Sequence, residues 1–174
     1  MAGETMIPLL AVAAWSGTGK TTLLKKLIPA LCVRGIRPGL IKHTHHDMDV
    51  DKPGKDSYEL RKAGAAQTLV ASSQRWALMT EMPEETELDL AWLVSRMDET
   101  TLDVVLVEGF KHEQVPKIML WRQDCGHHLE ELTLDDHVIA IASDVELTLD
   151  VPLLDLNDID QIAEFVLLWL HQTR

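Results

Sequence analysis

Apolar and polar positions fall into blocks along this chain, and the period of the pattern changes from block to block. "IPLLAVAA" (residues 7–14) is a short continuous apolar run, as expected of a strand buried on both faces of a parallel sheet. "TTLLKKLIPALCVRG" (21–35) switches to helical spacing. Leu23, Leu24, Leu27 and Leu31 share one face, Arg34 sits in the last turn and Gly35 is placed to stop the helix. Pro29 should kink it or remove one hydrogen bond. Cys32 follows the apolar pattern and is expected to be a small core residue. "PGLIKHT" (38–44) predicts a second strand, "DMDVDKPGK" (47–55) a polar loop with a Pro-Gly turn, and "DSYELRKAGAA" (56–66) a helix ending near Gly64.

Farther along, "QTLVAS" and "RWALMTEM" predict two strands joined by a polar turn. "PEETELDLAWLVSRM" (83–97) predicts an amphipathic helix with acid at its start and Arg96 near its end, which suits the helix macrodipole. "LDVVLVEGF" (102–110) is the second strongly apolar strand. "KIMLWR" and "HVIAIAS" predict two more, separated by the His-containing loop "QDCGHHLEELTLDD". A final helix covers 158–174, with apolar residues beyond one stripe; core packing or a subunit interface would explain them. Strand–helix alternation of this kind predicts a single α/β domain on a mostly parallel central sheet flanked by helices, with extra strands in the second half. Ligands in such sheets bind at the carboxyl ends of the strands, where three polar clusters fall: 14–22, 42–56 and 108–112.

Bulk composition narrows the function. The chain has 174 residues and a net charge of −12, so as a whole it repels nucleic acid and anionic membranes, and any anion site must be local. Its longest apolar runs fall well short of the roughly 20 residues of a membrane span. Glu4 and Pro8 interrupt the start where a signal peptide would need an apolar core, which leads to the expectation of a reducing cytoplasm. Cys32 and Cys125 form neither a disulfide framework nor a zinc spacing.

Chemistry concentrates first in "AWSGTGKTT" (14–22). Apart from alanine at its first position, Ala14 to Thr21 matches the phosphate loop G-x-x-x-x-G-K-[ST]. Gly17 and Gly19 let the backbone curl so that the amides from Ser16 through Thr18 and beyond point at phosphate oxygens. Lys20 is expected on the β- and γ-phosphates, Thr21 on Mg²⁺ and Thr22 toward the α-phosphate. The strand "DVVLVEGFK" ends in Glu108, a candidate Mg²⁺ ligand of Walker B type, followed by Gly109, which allows close backbone approach.

The segment 42–56 holds three histidines and four aspartates. An EF-hand fails, since its sixth and twelfth positions would be Lys52 and Tyr58. A transition-metal site on His43, His45 and His46 is open, as is a plain surface loop. A switch-like loop fits better, with Lys42 facing phosphate and Asp47, Asp49 or Asp56 orienting Mg²⁺ waters. Guanine's N-K-x-D reader is absent, and Asp144 is the candidate base reader or else a turn or capping residue. Gln114 and Arg122 are the remaining candidates to assist hydrolysis, and His127 and His128 have no assigned role.

These same stretches, "AAWSGTGKTTLLKKLIPAL", "IKHTHHDMDVDKPGKDSYELRKAGA", "RWALMTE", "LVEGFKHE" and "HVIAIASDV", resemble the MobB family of molybdopterin-guanine dinucleotide biosynthesis proteins over the length of the chain. That resemblance implies a P-loop NTPase-like fold, GTP binding with at most slow hydrolysis, and homodimerisation. It also implies an adapter role toward a MobA-type guanylyltransferase in molybdenum cofactor assembly, with molybdopterin as a candidate ligand near Lys42. Two other function classes stay open: an ATP-dependent small-molecule kinase or ligase, and a metallochaperone built on the 43–46 histidines.

Overall fold

The computed structural model describes residues 7–44, 48–82, 84, 86–110 and 112–173. His45, His46 and Asp47, named above as candidate ligands, lie outside the described residues, as does Lys111. Two compact units emerge: Met1–His43 with Asp89–Arg174, and Thr44–Leu88.

Six parallel strands build the larger unit. They are β1 (Leu9–Ala13), β2 (Pro38–Lys42), β5 (Val104–Glu108), β6 (Lys117–Trp121), β7 (Val138–Ser143) and β8 (Leu153–Asp155), in the order β2-β5-β1-β6-β7-β8. β1 and β5, the two strongest apolar runs, lie side by side, with Leu10 opposite Leu106 and Val12 opposite Glu108. Every residue of β5 is buried, because neighbours flank it in the sheet and packed layers cover both faces.

Helices α1 (Lys20–Val33) and α4 (Ile159–Thr173) pack on one face. Leu23, Leu24, Leu27 and Leu31 of α1 meet Ile162, Val166 and Leu170 of α4 over Leu10, Val12, Leu106, Ile118 and Leu120. Burying such a leucine is worth on the order of 2 kcal/mol, so this cluster is the main source of cohesion. Pro29 is carried inside an uninterrupted α1.

Several local expectations are corrected. Cys32 is exposed, because α1 turns Leu31 inward and leaves the next two positions facing solvent. The helix predicted over 83–97 shrinks to α3 (Leu90–Val94), with no acid in its first turn. Asp89 explains the late start: its side chain accepts the Trp92 N–H at 3.1 Å and caps the helix there. β8 and a short 3₁₀ turn at Leu129–Glu131 carry too little periodicity to be read from sequence.

The smaller unit holds α2 (Asp56–Lys62) and an antiparallel pair, β3 (Gln67–Ala71) and β4 (Trp76–Thr80). On this ribbon Leu69 lies opposite Leu78 and Ala71 opposite Trp76, which puts Leu69, Leu78 and Trp76 on one face, all exposed. At the centre of the unit is the buried Arg61. Its guanidinium donates to Asp49 (2.6 Å), Asp51 (2.8 Å) and Glu81 (3.1 Å) and stacks on Tyr58. Hydrogen bonding from Arg61 outweighs the upward push of burial and holds the Asp51 carboxyl below the usual carboxylate range.

A folded-state pKa below the unfolded value of about 3.9 gives stability that is complete above that value and fades as pH falls through the lower one. Hydrogen exchange in peptides spanning 48–82 should therefore accelerate in acid below about pH 4, beyond the intrinsic change in exchange rate. Asp51→Asn should show much of that loosening already at neutral pH.

Candidate functional site

All six strands of the main sheet run the same way, so the carboxyl ends of β1, β2, β5 and β7 lie along one edge. From β1 the chain runs on to β2, beyond β5; from β5 it runs on to β6, beyond β1. Neighbouring strands whose onward connections diverge in this way open a crevice at their carboxyl ends. Residues 14–22 leave β1 on one side of this crevice, and Glu108 and Gly109 leave β5 on the other.

The loop is built from turns that need glycine. Thr18 N–H donates to Trp15 O at 3.2 Å, closing a turn whose third residue, Gly17, has φ 81°. Gly19 follows at φ 102° and caps α1. No side chain caps this helix, and the first amide to bond within it is Leu23, to Gly19 O at 2.9 Å. The N–H groups of Lys20, Thr21 and Thr22 thus stand at the open end of a 14-residue helix, the positive pole of its dipole. Lys20 Nζ folds back onto Ala14 O at 3.0 Å, across the mouth of the loop. Thr18 is buried, and its Oγ1 has no hydrogen-bond partner among the described residues.

On the opposite wall, Glu108 is buried and lies 3.7 Å from Lys42 Nζ, so the two residues predicted from separate motifs meet. His43 N–H donates to Glu108 O at 2.9 Å and extends the β2–β5 ladder past its last pair. Gly109, at φ 96°, passes so close that a Cβ there would stand 3.1 Å from His43 O.

Other predicted residues are placed differently. Asp144 directly follows β7 and accepts the Gln123 N–H at 3.0 Å, with Arg122 4.0 Å away. Asp49 belongs to the smaller unit and is bonded to Arg61, and Asp56 opens α2. No group of three or more potential metal ligands occurs among the described residues.

Four contacts were not legible from sequence. Arg122 Nε donates to Thr18 O at 2.9 Å. His127 stacks on Trp15 at 4.5 Å between ring centroids, and Trp121 meets the same indole edge-on at 5.7 Å. His127 Nδ1 donates to Glu131 Oε2 at 2.8 Å, and with the His128 N–H it holds that carboxyl below its ordinary range. The only sequence signal for these was apolar and aromatic residues beside the glycine loop.

Residues 9–144 match the family model for MobB, molybdopterin guanine dinucleotide synthesis protein B. The chain belongs to the MobB family. It is 74% identical over 172 residues to the molybdopterin-guanine dinucleotide biosynthesis adapter protein of Escherichia coli K12, covering 99% of this chain and 98% of that one. Identity to the protein of the same name from Haemophilus influenzae is 51% over 168 residues, or 97% and 92% of the two chains. The crystal structure of Bacillus subtilis MobB superposes with a TM-score of 0.71 at 25% identity, covering 94% and 98%. The P-loop NTPase-like α/β fold expected from the sequence is therefore the fold of this MobB chain.

Close approach at Gly109 makes it the tightest point of the site. Gly109→Ala should cost about 1–2 kcal/mol from its left-handed conformation alone, with more from the push on His43. Urea unfolding of the variant beside wild type measures the loss.

Proposed function

We propose that this chain is a GTP-binding adapter of molybdopterin-guanine dinucleotide biosynthesis, holding the nucleotide with Mg²⁺ rather than turning it over rapidly. One observation carries the nucleotide part: a loop with left-handed glycines, an uncapped helix end and an inward lysine at the divergence of two parallel strands. Such an arrangement concentrates amide donors and one ammonium where an anion can be surrounded. The orphaned Thr18 Oγ1 fits a polyanion as well. In this reading the backbone of 16–21 and Lys20 hold the phosphates, and Thr21 and Glu108 hold the metal. Bound Mg²⁺ would supply charge neutralisation on the phosphate oxygens.

Lys42, half exposed, and the buried Glu108 offset each other's charge at 3.7 Å. With Glu108 engaged in holding Mg²⁺, Lys42 would be free to turn toward phosphate, and neither charge would be left without a partner. Adapter function follows from the names of the two relatives, both molybdopterin-guanine dinucleotide biosynthesis adapter proteins. A guanylyltransferase of that pathway is the proposed partner. No described helix is long and apolar enough to cross a membrane.

Calorimetric titration with GTP, ATP and GDP, with and without Mg²⁺, tests the site. Lys20→Ala should lower triphosphate affinity at least a hundredfold while leaving the unfolding midpoint unchanged. Glu108→Gln should remove most of the Mg²⁺ dependence. Tight triphosphate binding by Lys20→Ala would sink the assignment.

Homodimerisation is the second part of the proposal, supported by the exposed apolar face of Leu69, Leu78 and Trp76. Sedimentation of a Trp76→Ser/Leu78→Ser variant should give a monomer where the wild type gives a dimer. An unchanged dimer would place the interface elsewhere.

A further inference from the structure

Residues 122–131 are absorbed by no motif of nucleotide binding, yet they touch the phosphate loop twice. Arg122, the first residue after β6, donates from Nε to Thr18 O at 2.9 Å. Its guanidinium also lies against the next residue, where a Cβ on Gly19 would stand 3.4 Å from Nη2. His127 covers Trp15, three residues earlier in the loop, with its ring nearly parallel at 13°. Thr18 O is the carbonyl of the peptide that joins Thr18 to Gly19. A peptide is planar, and in the trans form its C=O and N–H point to opposite sides. Anchoring that carbonyl therefore fixes the direction of the Gly19 N–H, away from Arg122.

We propose that Arg122 is a positioning residue for the phosphate loop, pinning the Thr18–Gly19 peptide so that the Gly19 amide faces the bound polyphosphate. This rests on the reading of 14–22 as the phosphate site. Left-handed glycines on either side of Thr18 make the plane easy to turn, since Gly17 and Gly19 accept several backbone conformations at little cost. Without the anchor, loop and anion would have to order together, and that cost would appear as weaker binding. Asp144 serves Arg122. Its carboxylate accepts the Gln123 N–H at 3.0 Å and lies 4.0 Å from Arg122 Nη1, which restrains the guanidinium from the β7 side. His127, held by Glu131, restrains the front of the loop through Trp15 in the same way.

The test is calorimetric titration of the full chain with inorganic tripolyphosphate, GTP and ATP, beside thermal unfolding. Arg122→Ala should lose at least tenfold in affinity for all three, by a similar factor, with the unfolding midpoint held. Arg122→Gln keeps an N–H donor for Thr18 O but no charge, and should recover most of that loss. Failure of Arg122→Gln to recover binding overturns the proposal in favour of a direct charge contact. Arg122→Ala binding tripolyphosphate within twofold of wild type also overturns it. Asp144→Asn should weaken the three ligands equally and less strongly; a changed GTP-to-ATP ratio with unchanged tripolyphosphate affinity would instead assign Asp144 to the base. Lys20→Ala is the control. Should it bind tripolyphosphate as wild type does, the phosphate-site reading fails first and the role of Arg122 falls with it.

Discussion

Left-handed backbone at Gly17 and Gly19 is the constraint on which the site depends. Between β1 and α1 the chain must reverse within six residues and leave the first amides of the helix without a side-chain cap. Only glycine takes that conformation without the Cβ clash that costs other residues roughly 1–2 kcal/mol. Everything else in the larger unit serves to hold those few residues in place. α1 is pressed onto the sheet by its leucines, β1 is locked between β5 and β6, and Trp15 is wedged against Trp121 and His127.

The two units solve the burial of charge in different ways. In the larger one, Glu108 and Lys42 sit loosely at 3.7 Å, a weak pair that a ligand can disturb. In the smaller one, Arg61 is 7% exposed and surrounded by three carboxylates at hydrogen-bonding distance. Removing Asp51, the one enclosed carboxylate of the three, leaves the buried guanidinium short of a partner. The first arrangement suits a site that must respond, and the second suits a segment with few apolar residues of its own to bury.

Much of this was legible in the sequence, for identifiable reasons. Continuous apolar runs at 9–13 and 104–108 stand out because a strand buried on both faces needs no polar alternation. Glycine spacing before a lysine carries a backbone requirement that few other structures share. Glu108 and Lys42 were each legible from their own motif; their meeting was not, since it depends on β5 entering the sheet between β1 and β2. Cys32 and the truncated α3 were misread because helical periodicity alone does not say where a cap such as Asp89 will act, or which edge of a helix solvent will take. The contacts that Arg122 and His127 make with the glycine loop were beyond reach, because those partners lie about a hundred residues away in the chain and no local pattern encodes such a pairing. Asp144 was legible as a strand-end carboxylate, but its bond to Gln123 and its place beside Arg122 were not.

The sheet order also fixes when the molecule can come together. β1 has no partner until β5 and β6 exist, so the first strand made must wait for residues up to Trp121 to leave the ribosome. Pairings over that distance close slowly, because loop entropy is spent before any contact repays it. During synthesis the glycine loop is thus tethered but unshaped until β5 and β6 have followed it. The proposed nucleotide site can take shape only after β5 and β6 have been made, although its signature is written within residues 14–22.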